Sequence, residues 1–242
     1  MITVLMATYQ GKQYLEQQLD SILAQTVPVK ILISDDGSDD GTREMLDNYA
    51  GWYPEQVVLH HRTEHTGGAA GNFFWLMKEA LKDEKNEYIF FSDQDDVWEN
   101  NKVKVMLHRM RVLEKGLGSA CPILLYSDME VVDEELYEIS PSFASYTHQD
   151  PDRSSFAELL VENQVTGGAS MINRALLMRC AKAPEVCCMH DWWIALTASC
   201  FGIIEFMPRA LSKYRQHGNN VLGAKDAGSF GEMKARLGRG KE

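Results

Sequence analysis

Short apolar runs alternate with segments of helical periodicity through the first hundred positions. Residues 2–7 are apolar except Thr3 and lead into Thr8-Tyr9-Gln10-Gly11, which predicts a strand buried on both faces. Leu15, Leu19, Ile22 and Leu23 then recur at helical spacing. Residues 29–33 predict a second strand, stopped by Ser34-Asp35-Asp36-Gly37-Ser38, and Asp40 or Thr42 can cap a helix carrying Met45, Leu46 and Tyr49. A third strand over 57–59 precedes a glycine-rich turn at 66–71 and a helix through Phe74, Leu76, Met77 and Leu81. Residues 88–91 form a fully apolar fourth strand that runs straight into Asp93-Gln94-Asp95-Asp96.

Strands of this kind separated by helices predict an α/β fold with a mostly parallel central sheet covered by helices on both faces. In such sheets ligands bind beyond the carboxyl ends of the strands. Thr8, Asp35-Asp36 and the 93–96 acids each follow a strand and so belong to one rim. The second half is less regular. The pattern predicts a helix over 103–113, a strand over 123–126 ending at Ser127-Asp128, a hairpin over 130–140 and a polar loop over 146–154. A small apolar stretch over 164–172, a helix from His190-Asp191-Trp192-Trp193 and a late strand over 203–206 complete it. No internal repeat is visible. The chain divides into one domain over 1–222, with halves at 1–98 and 99–222, and a tail over 223–242 rich in Gly, Lys and Arg.

Composition narrows the classes. The chain has 242 residues, 45% of them hydrophobic, which is enough for a sizeable core. Its 24 Lys and Arg against 35 Asp and Glu give a net charge of −11 and exclude a binder of nucleic-acid backbones. An anionic substrate would need a cation or a nest of donors. The five cysteines include the adjacent pair Cys187 and Cys188 and lack disulfide spacing, so they read as reduced thiols. Cys187, Cys188 and His190 lack the second ligand pair of a zinc site. No run approaches the ~18 apolar residues of a membrane span, and the N-terminus has no basic signal region. The expectation is a cytoplasmic protein. The basic positions Lys225, Lys234, Arg236, Arg239 and Lys241 are either a solvated end or a peripheral attachment to the inner face of a membrane.

The acids at 93–96 carry the strongest chemical signal. Three carboxylates in four residues after an apolar strand repel one another unless a cation sits among them. Hard oxygen ligands suit Mg²⁺ or Mn²⁺, which commonly bind one or two carboxylates together with substrate phosphates. Asp96 also reads as a carboxylate at the N-terminus of the next helix. Asp36 is either a turn residue or an acceptor for a nucleobase or ribose. Asp191 beside Trp192 and Trp193 is either a helix-start acid with core aromatics or a base of raised pKa beside a flat sugar platform. Tyr214-Arg215-Gln216-His217 places donors and a metal-ligand type in a late segment able to close over a diphosphate.

Together these motifs resemble the family 2 glycosyltransferases of the GT-A fold, from Val4 to about Asn220. The resemblance rests on Met6-Ala7-Thr8-Tyr9-Gln10-Gly11, Ile33-Ser34-Asp35-Asp36-Gly37-Ser38 with Gly41-Thr42, and Phe91-Ser92-Asp93-Gln94-Asp95-Asp96-Val97-Trp98. His190-Asp191-Trp192-Trp193 and Tyr214-Arg215-Gln216-His217 are most similar to bacterial rhamnosyltransferase-like members. The resemblance implies donor contacts from Thr8, Tyr9, Asp36, Asp93 and Arg215, and a Mn²⁺ or Mg²⁺ held by Asp95 and His217. It implies Asp191 as general base, with Trp192, Trp193, Gly167 and Gly168 on the acceptor side. The turn at 62–72 departs from the family's Asn-rich, Arg-containing pattern, and no donor contact is assigned there.

The reaction so implied is inverting transfer of a sugar, with rhamnose indicated, from a nucleoside diphosphate sugar to a hydroxyl of a saccharide or lipid-linked acceptor in surface polysaccharide synthesis. A metal-dependent nucleotidyltransferase is the first competing class, but Thr8-Tyr9-Gln10-Gly11-Lys12 is a poor phosphate loop. A non-catalytic nucleotide-sugar-binding module is the second. Released pyrophosphate, or binding without turnover, would mark each of them.

Overall fold

The computed structural model describes residues 1–63 and 65–218. The tail with its five basic positions, and Asn219 and Asn220, lie outside the described residues. The first strands are β1 (Ile2–Thr8), β2 (Lys30–Asp35), β3 (Val57–His61) and β4 (Tyr88–Ser92), linked by helices α1 (Lys12–Leu23), α2 (Thr42–Trp52) and α3 (Ala69–Leu81). They lie parallel in the order β3-β2-β1-β4. The short β5 (Val97–Trp98) and helix α4 (Lys102–Leu117) follow. Next come β6 (Ile123–Val132), β7 (Glu138–Ser140), α5 (Phe143–Thr147), α6 (Phe156–Leu159), β8 (Ser170–Asn173), α7 (Arg174–Cys180), α8 (His190–Phe201) and β9 (Ile203–Arg215).

The sheet continues from β4 through β8, β6, β9 and β5, with β7 paired to β6. The expected parallel order holds for the first half and for β6 with β9. Elsewhere the sheet is mixed, because β8 runs antiparallel to both β4 and β6. An apolar run shows that both faces of a strand are covered, but it carries no information on strand direction. Alternate strand residues feed two cores. Val4, Met6, Ile31, Ile33 and Phe90 pack with Leu15, Leu19, Leu46 and Met106 on one face. Leu5, Leu32, Ile89 and Phe91 pack with Phe73, Leu76, Met77, Leu176 and Ile194 on the other. Burial of such side chains contributes about 1.5–3 kcal/mol each.

Two strands are longer than their apolar cores suggest. β6 continues past Tyr126 to Val132, and β9 continues past Phe206 to Arg215. Past register shifts between Ser127 and Glu130 their outer halves pair again, with Glu130 opposite Lys213 and Val132 opposite Arg215. Polar residues on these segments hid the strand from the hydrophobic pattern. The expected hairpin over 130–140 is present as β6 and β7, closed by Asp133, whose carboxylate accepts from the backbone N–H groups of Glu135 and Tyr137.

Candidate active site at the sheet rim

The strand ends meet as expected, with Thr8 beside Asp35 across β1 and β2 and Met6 beside Ser92 across β1 and β4. Asp35 is fully buried and anchors the turn after β2. Its carboxylate accepts from Thr8 Oγ1 at 3.2 Å, from the Ser38 backbone N–H at 3.0 Å and from Arg43 Nε at 2.9 Å. Burial alone would raise its pKa, but the hydrogen bonds from Ser38, Arg43 and Thr8 outweigh it and hold the carboxyl below its ordinary range. Gly37 takes φ +92 within this turn, a backbone state other residues rarely adopt. The turn presents Asp36, which is largely buried, and its Oδ1 accepts from the backbone N–H of Thr66 at 2.8 Å. The glycine-rich turn at 66–71 is thereby tied to the rim.

Thr8 corrects an expectation. Its side chain is 1% exposed and its hydroxyl donates inward to Asp35, so it supports the turn instead of meeting a nucleoside. Tyr9, 53% exposed, does face outward. Its backbone is clamped to the acidic loop by Gln94, whose Oε1 accepts from Tyr9 N at 2.8 Å and whose Nε2 donates to Tyr9 O at 2.9 Å. This two-bond clamp joins β1 to the loop after β4, and a Gln between acids gave no sequence signal for it.

At the start of α4 lies a buried lysine that the sequence reading missed. Lys102 is fully buried, with Nζ 2.8 Å from the Gly168 carbonyl, 3.4 Å from Ser212 Oγ and 4.1 Å from the centre of the Trp98 ring. Burial pushes its pKa down, while Asp96 and Asp93 hold it up. Asp93 is pushed up to about 7, first by burial and then by the charges of Asp95 and Asp191, with Lys102 opposing. Asp96 is also driven up, by burial and then by Asp95 and Asp93. Its reading as a helix-end acid is corrected: β5 intervenes, α4 begins only at Lys102, and Asp96 is 2% exposed with Oδ1 accepting the Arg215 backbone N–H at 3.3 Å.

Asp95 and His217 come together, with Oδ2 2.9 Å from Nε2, and the His217 ring packs 4.7 Å from that of Tyr14. Among the described residues no three His, Cys, Asp or Glu side chains converge as a ready metal set. Two protein ligands nevertheless fit a Mn²⁺ or Mg²⁺ that completes its shell with diphosphate oxygens and water. The crowded, raised carboxyls of Asp93 and Asp96 beside the pair are what a cation would relieve. Arg215 is corrected from a diphosphate clamp to a brace. Its guanidinium is buried, donates to the carbonyls of Asp95 and Glu134 and to Gln17 Oε1, and lies 4.6 Å over the Tyr14 ring. The segment expected to close over a ligand is the end of β9 up to Arg215.

On the acceptor side, Asp191 lies in the first turn of α8. Its Oδ2 accepts from Gly167 N at 3.2 Å and its Oδ1 from Trp192 N at 2.6 Å. Burial raises its pKa to about 6, against the pull of those N–H donors. Gly167 and Gly168 form a single 3₁₀ turn with Ala169. A Cβ on Gly168 would stand 3.0 Å from Asp93 Oδ2 and 3.2 Å from Asp96 Oδ2, and one on Gly167 would stand 3.0 Å from His190 Nε2. The turn is therefore wedged between the acidic loop and Asp191, and a side chain at either position would fit only if its neighbours gave way by a few tenths of an ångström. Trp192 donates from Nε1 to Leu159 O. Trp193 is tied to Cys180 O at 3.1 Å and packs against the α3-side core, so of the two only Trp192 lies on α8 toward α6. Cys187 donates to the Met189 carbonyl at 3.1 Å and Cys188 is exposed.

A parallel half-sheet with acids at its carboxyl rim, joined through β8 to a mixed half that carries a separate acid, defines a glycosyltransferase of the GT-A type. The chain belongs to glycosyl transferase family 2, whose model matches residues 3–179. It is 30% identical over 244 residues to the dTDP-rhamnosyl transferase RfbG of Shigella flexneri, across 96% of this chain and 78% of that protein. It is also 30% identical over 177 residues to the putative teichuronic acid biosynthesis glycosyltransferase TuaG of Bacillus subtilis, across 72% of this chain and 66% of that one. The mannosyltransferase PcManGT of Pyrobaculum calidifontis, solved with GDP-Man and Mn²⁺, superposes with a TM-score of 0.62 at 18% identity, covering 90% of this chain. S. aureus TarS residues 1–349 with UDP-GlcNAc gives 0.63 at 16% identity, again covering 90% of this chain. The chain spans 58% and 59% of those two solved chains, and at these identities they bear on the fold alone. No helix among the described residues is long and apolar enough to cross a membrane.

Proposed function

We propose that the chain transfers a sugar from a nucleoside diphosphate sugar to an acceptor hydroxyl in surface polysaccharide synthesis, with inversion, and that a dTDP-linked deoxyhexose such as rhamnose is the donor to test first. The observation that carries the reading is the Gly167–Gly168 turn, one glycine against Asp93 and Asp96 and the other bonded to Asp191. Donor-side acids and a separate base thus flank one short backbone segment. Similarity to the rhamnosyl transferase RfbG supports the choice of donor.

Tyr9, Asp36 and Asp93 bind and orient the donor, and Asp95 with His217 holds the divalent cation. When bound, that cation offsets the negative charge of the departing diphosphate. Asp191 takes the acceptor proton on a carboxylate oxygen as the acceptor oxygen bonds to the anomeric carbon and the bond from that carbon to the diphosphate breaks. The base and the leaving group stand on opposite faces of the sugar, hence inversion. Trp192 flanks the acceptor beside Gly167.

A thermal-shift panel of dTDP-, UDP- and GDP-sugars with and without Mn²⁺ tests this reading. A donor at ~100 times its Kd stabilises by about 2.7 kcal/mol, or about 5–10 °C in a chain of this size. One donor should stand out, and only with the cation. Asp95→Ala should abolish the Mn²⁺-dependent part. Equal shifts in the variant would remove Asp95 from the cation site, and released pyrophosphate in place of a nucleoside diphosphate would overturn the transferase reading.

A further inference from the structure

Helix α1 buries Leu15, Leu19 and Ile22 in the core below it. Tyr14, in the first turn of the same helix, is half-buried, and among the described residues its ring joins none of the hydrophobic clusters. Core packing therefore does not account for an aromatic ring here. What the ring touches is the end of β9 and the residues just past it. The Arg215 guanidinium lies 4.6 Å over the ring, and the His217 imidazole packs on it with centroids 4.7 Å and planes 33° apart. Both arrangements are attractive, a cation on a π face and an offset ring pair.

Each contact leads on to Asp95. Arg215 donates from Nε to the Asp95 carbonyl at 2.9 Å, and His217 Nε2 lies 2.9 Å from the Asp95 carboxylate. Gln17, three residues on from Tyr14, accepts from the same guanidinium. His217 lies two residues beyond the end of β9, so the direction of its ring depends on side-chain contacts more than on strand pairing. The 2.9 Å between the two donor atoms is near the roughly 3 Å that separates neighbouring ligands of an octahedral cation with bonds of about 2.1 Å. The pair thus needs to keep its spacing, not to change it. Freezing a loose imidazole on binding would subtract directly from cation affinity.

We propose that Tyr14 is a positioning residue for the divalent cation. Its ring holds the His217 imidazole beside Asp95, and it holds the Arg215 guanidinium that fixes the Asp95 backbone. This deepens the proposed transferase reading and rests on its cation site.

Mn²⁺ itself is the probe, titrated into the full chain and followed by the loss of its free electron paramagnetic resonance signal. Tyr14→Leu keeps apolar bulk on α1 but removes the flat ring, so its Kd for Mn²⁺ should rise roughly 10–100-fold, while Tyr14→Phe stays within about threefold of the parent. Tyr14→Leu binding within about threefold of the parent overturns the proposal. So does an equal loss in Tyr14→Phe, which would place the effect in the hydroxyl. A measurement on the parent needs no variant to fold: the ring signals of Tyr14, assigned by their absence in Tyr14→Phe, should broaden away with Mn²⁺ and not with Mg²⁺. Signals that stay sharp when Mn²⁺ is bound overturn the proposal as well. Asp95→Ala separates the two readings. If it also leaves the Kd unchanged, the cation site falls and this proposal with it. If it abolishes binding while Tyr14→Leu does not, only the role of Tyr14 falls.

Discussion

Asp191→Asn is expected to lower kcat by about 10²–10⁴, the usual contribution of a general base, while donor affinity stays within about twofold. Asparagine preserves size and can still accept one of the two N–H groups, from Gly167 or Trp192, that hold the carboxylate. What it loses is the ability to take a proton. A base must be ionised to act. Burial raises this carboxyl from 3.8 to about 6, so kcat/KM of the parent enzyme should fall as pH drops through about 6 and level off above it. Asp93, raised to about 7, titrates nearby, but its shift includes repulsion from Asp95 that a bound cation offsets. At saturating Mn²⁺ the acid limb should therefore belong to Asp191 and disappear in the variant. Nucleoside diphosphate release across pH 5–8 measures both effects. Turnover within threefold of the parent would remove Asp191 from the role of base.

The sequence pattern located the rim because each acid there follows an apolar run, and strand ends in an α/β sheet share one edge. It also singled out Asp191 as a candidate base from its two tryptophan neighbours, while Asp95 and His217, 122 residues apart and 2.9 Å from each other, were joined only through resemblance to a family, since no periodicity links them. It failed where polar residues enter regular structure. The outer halves of β6 and β9 carry Glu130, Lys213 and Arg215, so a braced strand end was taken for part of a segment able to close over a diphosphate. Thr8 and Asp96 were misread because position alone does not reveal which way a side chain turns. Lys102 had a legible signal: it falls on the buried stripe of α4 with Met106 and Met110, four and eight residues on, where a cation needs a partner. His190 stands likewise in line with the buried Ile194 and Ala198 of α8.

Lys102→Met is expected to cost about 1–3 kcal/mol of stability, the range for leaving a buried hydrogen-bonding group without its partner. Methionine fills much the same volume, so lost packing contributes little. The lysine also opposes the burial and repulsion that raise the Asp96 and Asp93 carboxyls, so without it both are driven further up. The Gly168 carbonyl loses its 2.8 Å donor as well, which loosens the turn between the acidic loop and Asp191. Urea denaturation at pH 7 without divalent metal measures the first effect as a lower midpoint. A double-mutant cycle then tests its cause. Asp96→Asn removes one of the carboxylates left unpaired, so the double variant should be more stable than the sum of the single losses predicts, with coupling of about 1–3 kcal/mol. Additive losses would mean that Lys102 acts through the Gly168 carbonyl and Trp98 alone. Donor transfer separates the two consequences: restoring charge balance with Asp96→Asn recovers stability but leaves Gly168 unheld, so turnover in the double variant should stay well below that of the parent.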